Sequence, residues 1–215
     1  MTWAAVLFDL DGTLADTTEL ILRCYRHTMH VHLGHTPPDG LWTAGMGTPL
    51  REQLKEFARD AEEAARMAET YSAYQRTIHD EMVKAFPGAV EVVRALKATG
   101  AAVGVVTSRR TAMAERTLAC TGLAGVMDVL IGADDVVRAK PDPEPVLLAL
   151  ERLGLAGREA RTLFVGDSPF DMRAGRSAGT RTAAVLWGPF AREELELEAP
   201  DHFVSRPEDL LGLVP

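Results

Sequence analysis

From Pro87 onward, short apolar runs alternate with stretches whose apolar residues recur at helical spacing. Ala101 to Val106 (A-A-V-G-V-V), Val129 to Ile131, Thr162 to Val165 (T-L-F-V) and Thr182 to Leu186 (T-A-A-V-L) are apolar runs too short to be helices. Such runs predict strands buried on both faces. Between them, Val90, Val93 and Leu96 share a helical face after Pro87 and before Gly100, where a proline opens and a glycine closes a helix. Ala112 to Thr121, Pro145 to Leu153 and Met172 to Ala178 read as further helices, and a short strand near His202 to Val204 precedes Pro207 and a closing helix. With Val6-Leu7-Phe8 as a first strand, this rhythm predicts an α/β fold: a doubly wound parallel sheet with helices on both faces.

Residues 17–84 break the rhythm. Leu20, Ile21, Cys24, Tyr25, Thr28 and Met29 form one helical stripe, Leu50, Leu54 and Phe57 a second, and Met67, Tyr71, Tyr74, Ile78 and Met82 a third. Between the first two, His32 to Gly47 is rich in Gly, Pro and Thr and reads as loop. The expected organisation is a core of residues 1–16 and 85–215, interrupted by an α-helical domain at 17–84 that joins it through two segments.

Composition narrows the function more than the fold. An apolar fraction of 47% and a charged fraction of 25% over 215 residues are those of an ordinary globular protein. The formal net charge of −8 argues against nucleic acid and anionic membrane as partners. An anionic substrate would need a pocket locally lined with cations. Cys24 and Cys120 are far apart in apolar settings and read as free thiols, which with no leader-like N-terminus and no apolar run near 18 residues suggests a cytoplasmic protein.

The densest chemistry lies at Val6 to Leu14, V-L-F-D-L-D-G-T-L. If a strand ends here, Asp9 and Asp11 leave its carboxyl end on one face, where open α/β sheets bind ligands. Gly12 permits a sharp turn and Thr13 offers a hydroxyl. Two such carboxylates suit a magnesium site or a nucleophile–acid pair; a calcium loop fits poorly, because its twelfth position would be Leu20. Three more strand ends carry polar groups: Thr107-Ser108, Lys140 in K-P-D-P, and Asp167 with Asp171 in G-D-S-P-F-D. Singly these could be helix caps or surface charges. In order, they offer carboxylate, hydroxyl, amine and carboxylate.

The ordered set D-L-D-G-T, V-V-T-S, A-K-P-D-P and G-D-S-P-F-D resembles the four motifs of the haloacid dehalogenase superfamily, across nearly the whole chain. The insertion after the first motif resembles that superfamily's small helical cap, on a Rossmann-like core. Within it the chain is most similar to the phosphoglycolate phosphatase group, while T-T-E-L and D-D-V-x-x-x-K-P-D-P-E-P are similar to its bacterial pyrophosphatases. The resemblance implies a magnesium-dependent phosphohydrolase cleaving a small anionic metabolite, phosphoglycolate-like, through an aspartyl-phosphate. Asp9 would be the nucleophile and Asp11 the acid and base. Thr107, the Ser108 N–H and Lys140 would bind phosphate. Asp9, Asp167 and the Asp11 carbonyl would hold Mg2+, and Asp171 would support Lys140 or a metal-bound water. The second aspartate argues for phosphate cleavage over dehalogenation. Pyrophosphatase, sugar-phosphate phosphatase or mutase, and a non-catalytic phosphate or metal sensor are the alternatives. Substrate choice would fall to the cap loop Gly45 to Pro49, with Thr48 and Arg51 as its candidates, while Arg109 and Arg110 lie near the rim. His27, His30, His32 and His35 lack a carboxylate or cysteine to complete a zinc site. A monomer or homodimer is expected.

Overall fold

Four residues, Ala5–Phe8, form the central strand β1 and show how the interior is divided. Val6 and Phe8 pack into one apolar cluster, Ala5 and Leu7 into another on the opposite face. The same alternation repeats in β6 (Thr162–Gly166), where Leu163 and Val165 face one cluster and Phe164 the other. A strand covered twice has no wet face to mark with polar residues, which is why these runs read as continuously apolar.

The computed structural model describes residues 2–215. β1 pairs in parallel with β4 (Ala102–Val106) on one side and β6 on the other, with Ala5 opposite Ala102 and Thr162. The sheet continues outward to β5 (Val129–Ile131) beyond β4, and to β7 (Arg181–Val185) and β8 (His202–Val204) beyond β6. Its order is therefore β5-β4-β1-β6-β7-β8, all parallel. The chain winds outward one way through β4 and the other through β6, so the crevice at the carboxyl ends of β1, β4 and β6 is a topological switch point. Helices α5 (Ala89–Ala98), α6 (Thr111–Cys120), α7 (Glu144–Arg152), α8 (Pro169–Ser177) and α9 (Arg192–Glu196) cover this Rossmann-like α/β core.

Four helices lie between the first strand and the rest: α1 (Thr18–Leu33), α2 (Asp39–Thr43), α3 (Leu50–Lys55) and α4 (Ala61–Met82). Leu20, Cys24, Tyr25 and Met29 of α1 pack with Met67 and Tyr71 of α4, as their stripes predict. The stretch read as loop contains α2. Trp42 anchors it, stacking on Tyr25 with centroids 4.8 Å apart; its short length left no periodicity to detect. A two-residue ribbon, β2 (Ala15–Asp16) against β3 (Lys84–Ala85), ties together the two segments through which this helical stretch joins the sheet. Ribbons so short carry no sequence pattern, and neither it nor α9 was anticipated. Among the described residues, no helix is long and apolar enough to cross a membrane.

Candidate active site

β1 stops at Phe8, so Asp9 and Asp11 reach their common cavity through a turn and not by the strand alternation that the sequence suggested. The chain turns instead: the Leu14 N–H donates to the Leu10 carbonyl, and Gly12 takes φ +78°. A side chain there would be strained, and its Cβ would lie 2.6 Å from an Asp167 carboxylate oxygen. Glycine thus lets the first loop close onto the loop after β6. Asp9 is consequently buried, while Asp11 is aimed sideways at Arg109.

Lys140 lies at the centre of the cluster, its side chain only 1% exposed. Its Nζ donates to Asp171 Oδ1 at 2.6 Å and to the Val106 carbonyl at 3.3 Å. It also forms an ion pair with Asp9 Oδ1 at 2.9 Å, without hydrogen-bond alignment, so that oxygen has no hydrogen-bond partner among the described residues. Asp171 is committed on both sides, because its Oδ2 accepts from the Ser168 N–H at 3.1 Å and the Ser168 hydroxyl at 2.5 Å in a capping box at the start of α8. Thr13 Oγ1 donates to Asp167 Oδ1 at 2.7 Å.

Asp9, Asp167 and Asp171 each bring an oxygen within 4.8 Å of the others, all buried. One ammonium faces three carboxylates. Burial pushes the Asp9 carboxyl up to about 7, with Lys140 pulling it back and Asp171 and Asp11 adding to the rise. Burial, then Asp171 and Asp9, also raise Asp167 well above the usual carboxylate range. An orphaned Asp9 oxygen inside an undercompensated set of hard oxygen donors fits a divalent cation of the magnesium type.

This arrangement has a thermodynamic consequence. Asp9 and Asp167 bind protons more tightly folded than unfolded, so their contribution to stability is full below about pH 4 and is lost as pH rises, for Asp9 through about 7. A cation bound to the ionised pair reverses that loss. The melting-temperature increment between EDTA and magnesium is therefore expected to be several degrees larger at pH 8 than at pH 5. Equal increments at the two pH values would contradict this cation site.

Asp11 has a different environment. Burial alone would raise it, but the Arg109 guanidinium and hydrogen bonds from Arg109 and Thr17 hold it below the usual carboxylate range. The Thr17 hydroxyl, placed to cap α1, is diverted to Asp11 Oδ1 at 2.6 Å, and α1 has no side-chain cap. A missing cap costs about 1 kcal/mol, so local helix stability yields here to the carboxylate's position.

Thr107 follows β4, its hydroxyl accepting from the Arg109 N–H at 3.2 Å. Ser108 Oγ donates to the Gly47 carbonyl at 2.6 Å, joining the core to the Gly45 to Pro49 loop. Gly47 has φ +100°, and a Cβ there would meet the Ser168 hydroxyl at 2.7 Å. Thr48 turns its hydroxyl onto the Gly45 carbonyl at 2.8 Å; Arg51 is exposed. A cavity of about 1760 Å³ between the strand ends and the helical stretch is lined by Asp9, Asp11, Thr107, Arg109, Lys140 and Asp167, and Ser108, Thr48 and Arg51 also reach it. Asp171 does not, which leaves it behind Lys140. The four histidines form no ligand cluster: His27 stacks on Tyr74 and His32 bonds the Thr70 hydroxyl. Both cysteines are free.

The Arg109 to Asp11 pair was missed in the sequence, where two adjacent arginines after T-S gave no means of telling which turns inward. The buried His79, bonded to Asp80 and Thr117 between α4 and α6, was missed as well. It shares the buried face of α4 with Met67 and Tyr71, and with Gln75 one turn before it.

A family model of haloacid dehalogenase-like hydrolases matches residues 6–185. The chain is 40% identical over 214 residues to a Caldanaerobacter subterraneus protein named "Putative pyrophosphatase PpaX", covering 100% of this chain and 96% of that one. It is 38% identical over 210 residues to pyrophosphatase PpaX of Bacillus velezensis, covering 97% and 95%. A crystal structure from Lactobacillus plantarum, described as a "putative phosphoglycolate phosphatase", superposes with a TM-score of 0.86 at 25% identity, covering 99% of each chain.

Proposed function

The chain belongs to the haloacid dehalogenase-like hydrolase family and is a phosphatase, and from that premise we propose that it hydrolyses inorganic pyrophosphate with Asp9 as nucleophile and magnesium as cofactor. The observation that carries the reaction is the Asp9 carboxylate, buried at a strand end with the Lys140 ammonium 2.9 Å from its Oδ1, an oxygen that accepts no hydrogen bond among the described residues. Phosphoryl transfer needs little else than an in-line nucleophile and positive charge around the phosphoryl oxygens. Magnesium, held by Asp9, Asp167 and the Asp11 carbonyl, would supply part of that charge.

In the first half-reaction an Asp9 oxygen bonds to phosphorus and the bridging P–O bond breaks; Asp11, held ionised by Arg109 and Thr17, takes up a proton from solvent once that pairing is released and gives it to the leaving oxygen. In the second, water attacks the aspartyl-phosphate, its proton passes to Asp11, and phosphate leaves with the Asp9 carboxylate restored. Thr107 and the Ser108 N–H would hold phosphoryl oxygens. Lys140 would offset the joint charge of nucleophile and phosphate, with Asp171 fixing its direction. The names of the relatives at 38% and 40% identity favour pyrophosphate as substrate. Phosphoglycolate, which the motif resemblance put first, is the second reading and is supported by the Lactobacillus plantarum neighbour.

The test is a substrate panel of pyrophosphate, phosphoglycolate, sugar phosphates and p-nitrophenyl phosphate, with magnesium and with EDTA. Pyrophosphate is expected to give the highest kcat/KM, with turnover vanishing in EDTA and returning with magnesium. Preference for a sugar phosphate overturns the substrate; full activity in EDTA, or restoration by zinc alone, overturns the metal. Asp11→Asn should slow phosphoglycolate, an alkyl phosphate with a second anionic group, by about 100-fold or more, while p-nitrophenyl phosphate, whose leaving group needs less protonation, should lose less. Equal losses on both would remove Asp11 from the acid's role.

A further inference from the structure

Both oxygens of the Asp11 carboxylate are occupied. Arg109 Nε donates to Oδ2 at 2.9 Å, Arg109 Nη2 donates to Oδ1, and Thr17 Oγ1 donates to Oδ1 at 2.6 Å. The Arg109 side chain is 8% exposed, and Asp11 is its one carboxylate partner among the described residues. Among the described residues its Nη1 has no hydrogen-bond acceptor. A guanidinium so far removed from water needs a fixed anion beside it, and Asp11 fills that place.

The other cations of the cavity differ. Lys140 is bound to Asp171 and close to Asp9. Arg110 is 77% exposed beside Asp134, and Arg51 is exposed. Arg109 is therefore the buried cation whose partner can be exchanged without stripping charge from the phosphoryl site.

We propose that Arg109 binds the second anionic group of the substrate and, by leaving Asp11 for it, frees the Asp11 carboxylate to turn toward the leaving oxygen. This rests on the reading of the substrate as small and doubly anionic. A planar guanidinium makes the same two-pronged contact with a phosphate or carboxylate of the substrate as with Asp11, so the exchange replaces one charge-assisted pair with another. A phosphate ester lacking a second anion leaves the pair closed and the acid turned away. Arg109 is thus a specificity-determining residue and a positioning residue for Asp11: substrates that carry the second charge release their own acid.

The experiment compares wild type, Arg109→Ala and Arg109→Lys, using methylenediphosphonate and methylphosphonate as inhibitors of p-nitrophenyl phosphate turnover at fixed free magnesium. In Arg109→Ala the methylenediphosphonate inhibition constant should rise by about 30-fold or more, as for losing a charge-assisted bidentate contact. That for methylphosphonate should rise by a much smaller factor. The kcat/KM ratio of pyrophosphate to p-nitrophenyl phosphate should fall in parallel. Arg109→Lys keeps a cation beside Asp11 but not the fork, and should fall between the two. It carries the test if the alanine variant does not fold. Equal changes for the two inhibitors, or none, overturn the proposal. A wild type that does not hydrolyse pyrophosphate overturns the substrate assignment alone, since the inhibitor ratio still reports on Arg109.

Discussion

Asp9→Asn is expected to abolish turnover of every substrate, with a loss of at least about a thousandfold, or roughly 4 kcal/mol of barrier. The amide is nearly isosteric with the carboxylate but has no electron pair suited to attack phosphorus. Protein stability should move the other way. The ionised Asp9 is disfavoured in the fold, its pKa pushed up to about 7 first by burial and then by Asp171 and Asp11. Replacing it by a neutral group removes one of three buried carboxyl groups that share a single lysine. In EDTA at pH 8 the variant should therefore melt no lower than the wild type, and magnesium should stabilise it less. Residual activity within a hundredfold of wild type would remove Asp9 from the nucleophile's place. A lower melting temperature in EDTA would show that the carboxylate contributes to folding rather than straining it.

The sheet was legible in the sequence because its strands are buried on both faces and leave unbroken apolar runs. The helical stretch was legible where helices are long enough to repeat a stripe, as in α1 and α4, and illegible in α2, where one residue, Trp42, supplies the packing. Asp9 and Asp167 stood out because each directly follows a strand, and strand tips in a parallel sheet converge on one edge; Asp171 lies in the first turn of α8, and Lys140 reaches the cluster from the loop between β5 and α7, not from the strand end that the sequence suggested. What the sequence could not give were contacts between tips. The turn that sends Asp11 toward Arg109, and the bond from Ser108 to Gly47, depend on side chains crossing between loops. Nothing in residue spacing encodes which of Arg109 and Arg110 makes that crossing.

Lys140→Met tests whether the lysine serves the fold, the reaction, or both. Methionine nearly matches its length, so the change is mainly the loss of one buried positive charge, which lies 5.9 Å from the centre of the Phe164 ring. That charge bridges Asp9 at 2.9 Å and Asp171 at 2.6 Å. Without it the site holds three buried carboxylates and no internal cation. Breaking a buried pair by removing one partner costs about 3–5 kcal/mol, so urea denaturation in EDTA at pH 8 should show a loss of that size. Magnesium should recover part of it by taking over the charge. Activity should fall by about 100-fold or more, comparable to removing one preorganised donor from a developing charge. A second substitution separates the two roles. Adding Asp171→Asn to Lys140→Met removes the carboxylate left most exposed to the change, and should return stability toward the wild type. It should not return activity, because the phosphoryl oxygens still lack their ammonium. Recovery of both would make Lys140 a structural counterion to Asp171, and its nearness to Asp9 would then have no part in the reaction.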